Sequence, residues 1–241
     1  MIEEIHVINL DTSVNRFKEF RNRNAHLGDV TRVSGIEGSQ LNRDSLIGEG
    51  TITSDLPYLP GSLGCSLSHI RLWQRASAEN RELTVLEDDV ICVPGLRERA
   101  QRVISKLLPD WDIIIWGFDY TPKFVWADFG FSKAKLEFYD RLEPSQLLEA
   151  DFAPVPIKIA HSFGLFGYTV SPKGARALLE YCLPLRKRVI PFPGTDVAIN
   201  DTAIDCTMCG AYASMQAFIC VPPLVLHDFK MPSDRIGRDS C

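Results

Sequence analysis

The chain has 241 residues, of which 45% are hydrophobic and 24% charged. That suits one large α/β domain or two small ones with an ordinary globular core, and excludes a disordered chain. The formal net charge is −5, from 31 acidic and 26 basic residues. Nucleic-acid binders carry a basic excess, so that class is set aside, and a phosphorylated ligand would need a metal ion or local basic groups to offset the acidic surface.

The opening MIEEIHVINL has neither the basic start nor the long apolar stretch of an export signal. No run of about 18 apolar residues is present. The expected location is cytoplasmic, with at most peripheral contact at the inner face of a membrane. The seven cysteines are then expected to stay reduced. Cys206 and Cys209 form a single CxxC with no second ligand pair nearby, which reads as two thiols near a loop rather than a structural zinc site.

In chain order, Ile5 to Leu10 is an apolar run suited to a buried first strand. Asp11, Thr12 and Ser13 offer helix caps, and Val14, Phe17, Phe20 and Arg21 follow at helical spacing. Pro60, Gly61 and Gly64 read as a loop, after which Leu67, Ile70, Trp73 and Ala76 mark one helix face. Leu83 to Leu86 is a second buried strand, running straight into Glu87, Asp88 and Asp89. Leu96, Ala100, Val103, Ile104 and Leu107 define another amphipathic helix. Ile113 to Trp116 is a third strand.

Residues 120–160 mix aromatics, prolines and charges and read as an irregular insertion in one 1–241 domain. Phe163 to Val170 reads as a strand. Ser171 then caps a helix that has Pro172 at its first position and Ala175, Leu178 and Leu179 as its buried stripe. Arg186 to Arg188 form a basic cluster, either a solvated helix end or a contact for an anionic acceptor or membrane face. Phe218 to Leu226 is a last strand, interrupted by Pro222 and Pro223. Strands alternating with helices predict a largely parallel sheet with helices on both faces, and ligands of such sheets bind beyond the carboxyl ends of the strands.

Three adjacent carboxylates after an apolar strand, in Leu86-Glu87-Asp88-Asp89-Val90, repel one another. A hard divalent cation would relieve that repulsion and could bridge to a diphosphate; a solvated turn is the plainer alternative. Some twenty residues earlier stands Gly64-Cys65-Ser66-Leu67-Ser68-His69-Ile70. With these two motifs the sequence resembles glycosyltransferase family 25, the lipopolysaccharide-type galactosyltransferases and their collagen-modifying relatives. Further segments fit in the same order: Val7 to Asp11 with Arg16, Arg32 to Gly38, Gly167 to Ser171 with Gly174 and Ala175, and Pro222 to His227.

The resemblance implies a GT-A fold, a Rossmann-like α/β domain. It implies an inverting transfer of a hexose, galactose first, from a UDP-sugar to a glycan or glycolipid such as lipopolysaccharide or lipooligosaccharide, with Mn²⁺ or Mg²⁺. By the same resemblance Asp89 is the metal ligand, Glu87 contacts the donor ribose and Asp88 takes either role. Asn9 and Arg16 join the donor site, although Arg16 could equally pair with a carboxylate. His227, after the last apolar strand, could complete the metal site or be a surface residue; His69 could serve the donor site or be a buried hydrogen-bonder. An inverting transfer needs a general base, usually Asp or Glu. Asp196, Asp119 and Asp201 are the candidates, with Asp196 first because Gly194 to Asp201 resembles the family's downstream aspartate motif; as an N-cap it would be purely structural. The rival functions are a metal-dependent nucleotidyltransferase, disfavoured because Ile8 to Arg16 contains no glycine, and a catalytically inactive sugar-nucleotide or glycan-binding protein.

Overall fold

The structure is a computed structural model that describes residue 2 and residues 4–119, 124–140, 143–149 and 152–228. In chain order the strands and helices are β1 (Ile5–Asn9), α1 (Val14–Arg23), β2 (Thr31–Ser34), α2 (Arg43–Gly48), α3 (Pro60–Glu79), β3 (Leu83–Glu87), β4 (Val90–Cys92) and α4 (Leu96–Ile104). There follow β5 (Ile113–Asp119), β6 (Phe124–Asp128), β7 (Lys133–Glu137), α5 (Pro144–Glu149), β8 (Val155–His161) and β9 (Phe163–Val170). The last elements are α6 (Pro172–Cys182), β10 (Val189–Pro191), β11 (Ala198–Asn200), α7 (Ile204–Cys209), β12 (Ala217–Val221) and β13 (Val225–His227).

Nine strands form one sheet in the order β2-β1-β3-β9-β5-β12-β8-β6-β7. Helices flank it, giving the expected α/β, Rossmann-like architecture. The sheet is mixed. β1 runs parallel to β2 and β3, and β12 parallel to β5, whereas β9 is antiparallel to both β3 and β5. β8 is antiparallel to β12 and to β6, and β6 to β7. The 120–160 stretch, expected to be irregular, thus supplies β6, β7 and β8, which extend the sheet; residues 120–123, 141, 142, 150 and 151, like the 229–241 end of the expected domain, lie outside the described residues. Phe124–Asp128 alternates buried and half-buried side chains, and Lys133–Glu137 alternates half-buried and exposed ones, as a sheet with one covered face requires.

Local chemistry sets the helix ends. α3 starts with Pro60 at a position that needs no amide donor, not in a loop, and stops where Asn80 turns left-handed at φ 49°. Its face of Leu67, Ile70, Trp73 and Ala76 is buried in the continuous core. Ser171 Oγ accepts from the Gly174 amide at 3.0 Å, the capping bond expected for α6. The last apolar run is split at Pro222 and Pro223 into β12 and β13, and β13 pairs with β4 instead of joining the large sheet. Cys206 and Cys209 sit on α7, where the Cys209 thiol donates to the Ser162 carbonyl at 3.0 Å. Among the described residues no helix is long and apolar enough to cross a membrane.

One buried group gives the fold an acid-sensitive point. His161 ends β8 with its ring against Phe163 and Phe192, at centroid distances of 4.6 and 4.8 Å. Neither ring nitrogen has a hydrogen-bond partner among the described residues. Burial pushes its pKa from 6.5 down to about 4, only partly opposed by Asp205. The unfolded chain therefore binds the extra proton first. Stability from this group is complete above pH 6.5 and is lost as pH falls toward 4, by roughly 3 kcal/mol in all. Denaturant titrations across that window should show the loss in the parent chain and a flatter profile in His161→Phe. Equal acid slopes in the two would show that another group is responsible.

Candidate functional site

The site forms where the chain changes direction in the sheet. From β1 the chain first adds β2 on one side, then returns through α3 to add β3 on the other, and such a switch leaves a crevice at the carboxyl ends of the strands. The register sets Ile8 opposite Glu87, so Asn9 and Asp88 emerge side by side. The Asn9 amide donates to Asp88 Oδ2 at 2.6 Å and to the Ser13 carbonyl at 3.0 Å. The pairing of β13 with β4 sets His227 opposite Val90, which brings its imidazole to Asp89. A cavity of about 150 Å³ opens here, lined among others by Asn9, Arg16, Glu37, Cys65, His69, Glu87, Asp88, Asp89, Phe166 and His227.

Glycines let α3 close one wall. A Cβ on Gly64 would stand 2.4 Å from the Ile36 carbonyl oxygen, and one on Gly38 would stand 1.8 Å from that of Pro60. Backbone meets backbone at that point, and Ser68 Oγ accepts from the Ile36 amide at 2.8 Å. The Gly64-Cys65-Ser66-Leu67-Ser68-His69 motif is thereby explained. Gly64 permits the approach, Ser68 locks it, and His69 and Cys65 face the carboxylates.

Charges around the acidic triplet are compensated from two sides. Arg16 Nη2 lies 2.6 Å from Asp88 Oδ1 and 3.1 Å from Asp89 Oδ2, and its Nε lies 3.2 Å from both Asp88 oxygens. His227 Nε2 lies 3.3 Å from Asp89 Oδ2, with its ring 5.0 Å from that of Phe166. Burial pushes the Asp88 carboxyl up in spite of Arg16 and Asn9. Burial acts on Asp89 in the same sense, but His227 and Arg16 outweigh it and hold that carboxyl below its usual range. Asp89 Oδ1 is buried and has no hydrogen-bond partner among the described residues. A buried carboxylate oxygen left in that state is costly, and a cation shared with the adjacent imidazole would satisfy it. The chemistry of these side chains is thus compatible with a divalent ion, which Asp89 and His227 would hold.

His69 is almost fully buried. Its Nδ1 is 3.0 Å from the Tyr168 hydroxyl, which also accepts from Trp73 Nε1 at 3.0 Å, and its Nε2 is 3.4 Å from Glu87 Oε1. Burial opposes a positive charge on His69, but Tyr168, Cys65 and Glu87 together raise its pKa.

The three candidate bases are placed differently. Asp196 is exposed in the turn joining β10 to β11 and caps no helix. Asp201 is buried and held by two hydroxyls, Tyr58 Oη at 2.5 Å from Oδ1 and Thr207 Oγ1 at 2.6 Å from Oδ2, a clamp between the β11 end and α7. None of the three lines the cavity. Asp119 ends β5, and because β9 is antiparallel to both β3 and β5, β5 runs the same way as β3. Asp119 thus lies toward the same end of the sheet as Glu87 but two strands away and further along, since Leu86 is opposite Gly167 and Asp119 opposite Phe163.

Sequence reasoning brought Asn9, Arg16, His69, Glu87, Asp88, Asp89 and His227 to one cavity. It missed Cys65, Phe166 and Tyr168. Cys65 and His69 are four residues apart on α3, a spacing that places both on one face; nothing in the sequence marks Tyr168 as the partner of His69.

A family model described as glycosyltransferase family 25 (LPS biosynthesis protein) matches residues 2–199. A glycosyltransferase 25 family member from Aedes aegypti is 28% identical over 200 residues, covering 78% of this chain and 29% of that protein. Procollagen galactosyltransferase 1-B from Xenopus laevis is 26% identical, covering 74% of this chain and 28% of its own length. A relative from Rattus norvegicus named as a probable inactive glycosyltransferase 25 family member 3 is 25% identical over 61% of this chain and 24% of its own. The chain spans less than a third of the length of these relatives. With the family model matched over most of its length and the motif residues gathered in one cavity, the chain belongs to glycosyltransferase family 25.

Proposed function

We propose that this chain transfers a hexose, galactose first, from a UDP-sugar to a glycan or glycolipid acceptor, with inversion and with a divalent cation, Mn²⁺ or Mg²⁺. Family membership supports sugar transfer, and the name of the Xenopus laevis relative favours galactose. The observation that carries the reading is the buried, unsatisfied Asp89 Oδ1 beside His227 in a cavity at the switch point of the sheet. A cation held there would neutralise charge on the departing nucleoside diphosphate. Arg16 keeps Asp88 and Asp89 in place, Asn9 orients Asp88, and Glu87 stands at the cavity edge where a ribose hydroxyl could donate to it. Lipopolysaccharide or lipooligosaccharide remains the acceptor class proposed, with the enzyme cytoplasmic or at the inner face of a membrane.

Melting curves with UDP plus Mn²⁺ test the reading. A ligand at 100 times its Kd stabilises the folded state by about 2.7 kcal/mol, which for a domain of this size is a Tm rise on the order of 5–10 °C. UDP-galactose should also be hydrolysed slowly without acceptor. No shift with UDP, or turnover of nucleoside triphosphates instead, would overturn it. A second reading, a catalytically silent sugar-nucleotide binder, has one observation in its favour: Arg16 already bridges Asp88 and Asp89. It predicts the Tm rise without any hydrolysis.

For the base, Asp119 has the better position and Asp196 the motif likeness. A carboxylate that takes the acceptor proton contributes a factor on the order of 10² to 10⁴ in kcat. Asp119→Asn is expected to lose that factor with donor affinity unchanged, as measured by UDP titration. If Asp119→Asn turns over normally and Asp196→Asn does not, the base lies on the β10–β11 turn.

A further inference from the structure

Beside the Asp89–His227 pair lies a second group of ligand-type side chains of different chemical character. Cys65 and His69, one helical turn apart on α3, point at Glu87 at the end of β3. Cys65 Sγ is 3.7 Å and His69 Nε2 3.4 Å from Glu87 Oε1, and the three ligand atoms all lie within 4.8 Å of one another. Bonds to zinc of 2.3 Å from sulfur and 2.0–2.2 Å from nitrogen or oxygen, at tetrahedral angles, separate the ligand atoms by about 3.3–3.6 Å. Two of the three separations are already within about 0.2 Å of that range.

The surroundings also suit an ion. The Tyr168 hydroxyl, itself held by Trp73 Nε1, fixes the His69 ring from behind, the arrangement that orients metal-bound imidazoles. All three side chains line the cavity, so a fourth coordination position would face its interior. Thiolate, imidazole and one carboxylate select a softer ion than the oxygen-rich Asp88–Asp89 side does.

We propose that Cys65, His69 and Glu87 form a second cation site, specific for zinc or an equally soft divalent ion and distinct from the Asp89–His227 site. Binding replaces the thiol proton, and any proton on His69 Nε2, with the metal and releases them to solvent. The proposal concerns ion binding alone and stands whether or not the chain transfers sugar.

Cobalt(II), titrated into the full chain as a spectroscopic stand-in for zinc, tests it. The thiolate-to-cobalt charge-transfer band and the intense visible bands of tetrahedral cobalt should appear, and added zinc should abolish them. Cys65→Ser should lack the charge-transfer band, whereas Asp89→Asn and Cys206→Ser should keep it. Tyr168→Phe should weaken binding about tenfold, as expected for an orienting partner. Should Cys65→Ser fail to fold, protection of Cys65 from alkylation by zinc in the parent chain gives the same answer. A band that survives Cys65→Ser, a band that is lost in Cys206→Ser, or an alkylation rate at Cys65 unmoved by zinc would overturn the proposal.

Discussion

Asp89→Ala is expected to reduce sugar transfer by a factor on the order of 10³ or more while the chain stays folded. A cation at a leaving diphosphate supplies several kcal/mol of transition-state stabilisation, and about 4 kcal/mol corresponds to three powers of ten in rate. Of the three carboxylates, Asp89 is the one shared between Arg16 and His227 and the one with a buried oxygen to spare. The fold should survive because Arg16 keeps its contacts to Asp88. Two measurements check this: turnover of the UDP-sugar, and Mn²⁺ affinity from the electron-spin signal of the free ion. Both should collapse together. Near-parental turnover, or full activity of the parent chain in EDTA, would remove the metal from the mechanism.

Arg16→Leu should act on stability more than on any single step. Asp88 is buried and its carboxyl is already pushed up. Without the guanidinium its only remaining side-chain partner among the described residues is the Asn9 amide, with Asp89 next to it. Removing one partner of a buried ion pair costs about 3–5 kcal/mol, here a Tm lower by on the order of 10 °C. The pH dependence has a definite sign. A carboxyl whose folded pKa lies above its unfolded value binds a proton more tightly in the folded state, so stability falls as pH rises through that window. The deficit of Arg16→Leu should therefore be largest at neutral pH and shrink in acid, where Asp88 needs no counter-charge. Divalent cation should also restore part of it. A variant as stable as the parent at neutral pH would show that Arg16 is not the counter-ion that holds the triplet together.

The parts of the site that lie close together in sequence were readable from it. Glu87 to Asp89 follow an apolar strand, and Cys65 to Ile70 ride on a helix whose stripe of Leu67, Ile70, Trp73 and Ala76 is plain. The direction of β9 was not readable. Phe163 to Val170 is mostly apolar, as a strand covered on both faces is in either orientation, and only pairing with β3 and β5 fixes it as antiparallel. The β6–β7 hairpin left a weak signal, the alternation of Lys133-Ala134-Lys135-Leu136-Glu137, which its charges obscured. His227 and Arg16 owe their places to long-range pairing and to the salt bridges it permits, which local periodicity does not encode. Asp196 is singled out only by the motif likeness of Gly194 to Asp201; that the chain turns back on itself there, between β10 and β11, follows from the pairing of Val189–Pro191 with Ala198–Asn200.

The position of β9 also bears on how the chain reaches its native state. β3 and β5 are made first, yet their shared neighbour is residues 163–170, and the other side of β5 is filled by β12 at 217–221. During synthesis both early strands must therefore wait with open edges while a long stretch of chain is still to come. Pairings of that sequence separation form slowly, and waiting edges invite association with other chains. The central sheet should accordingly close as one late cooperative event, when β9 pairs with both β3 and β5.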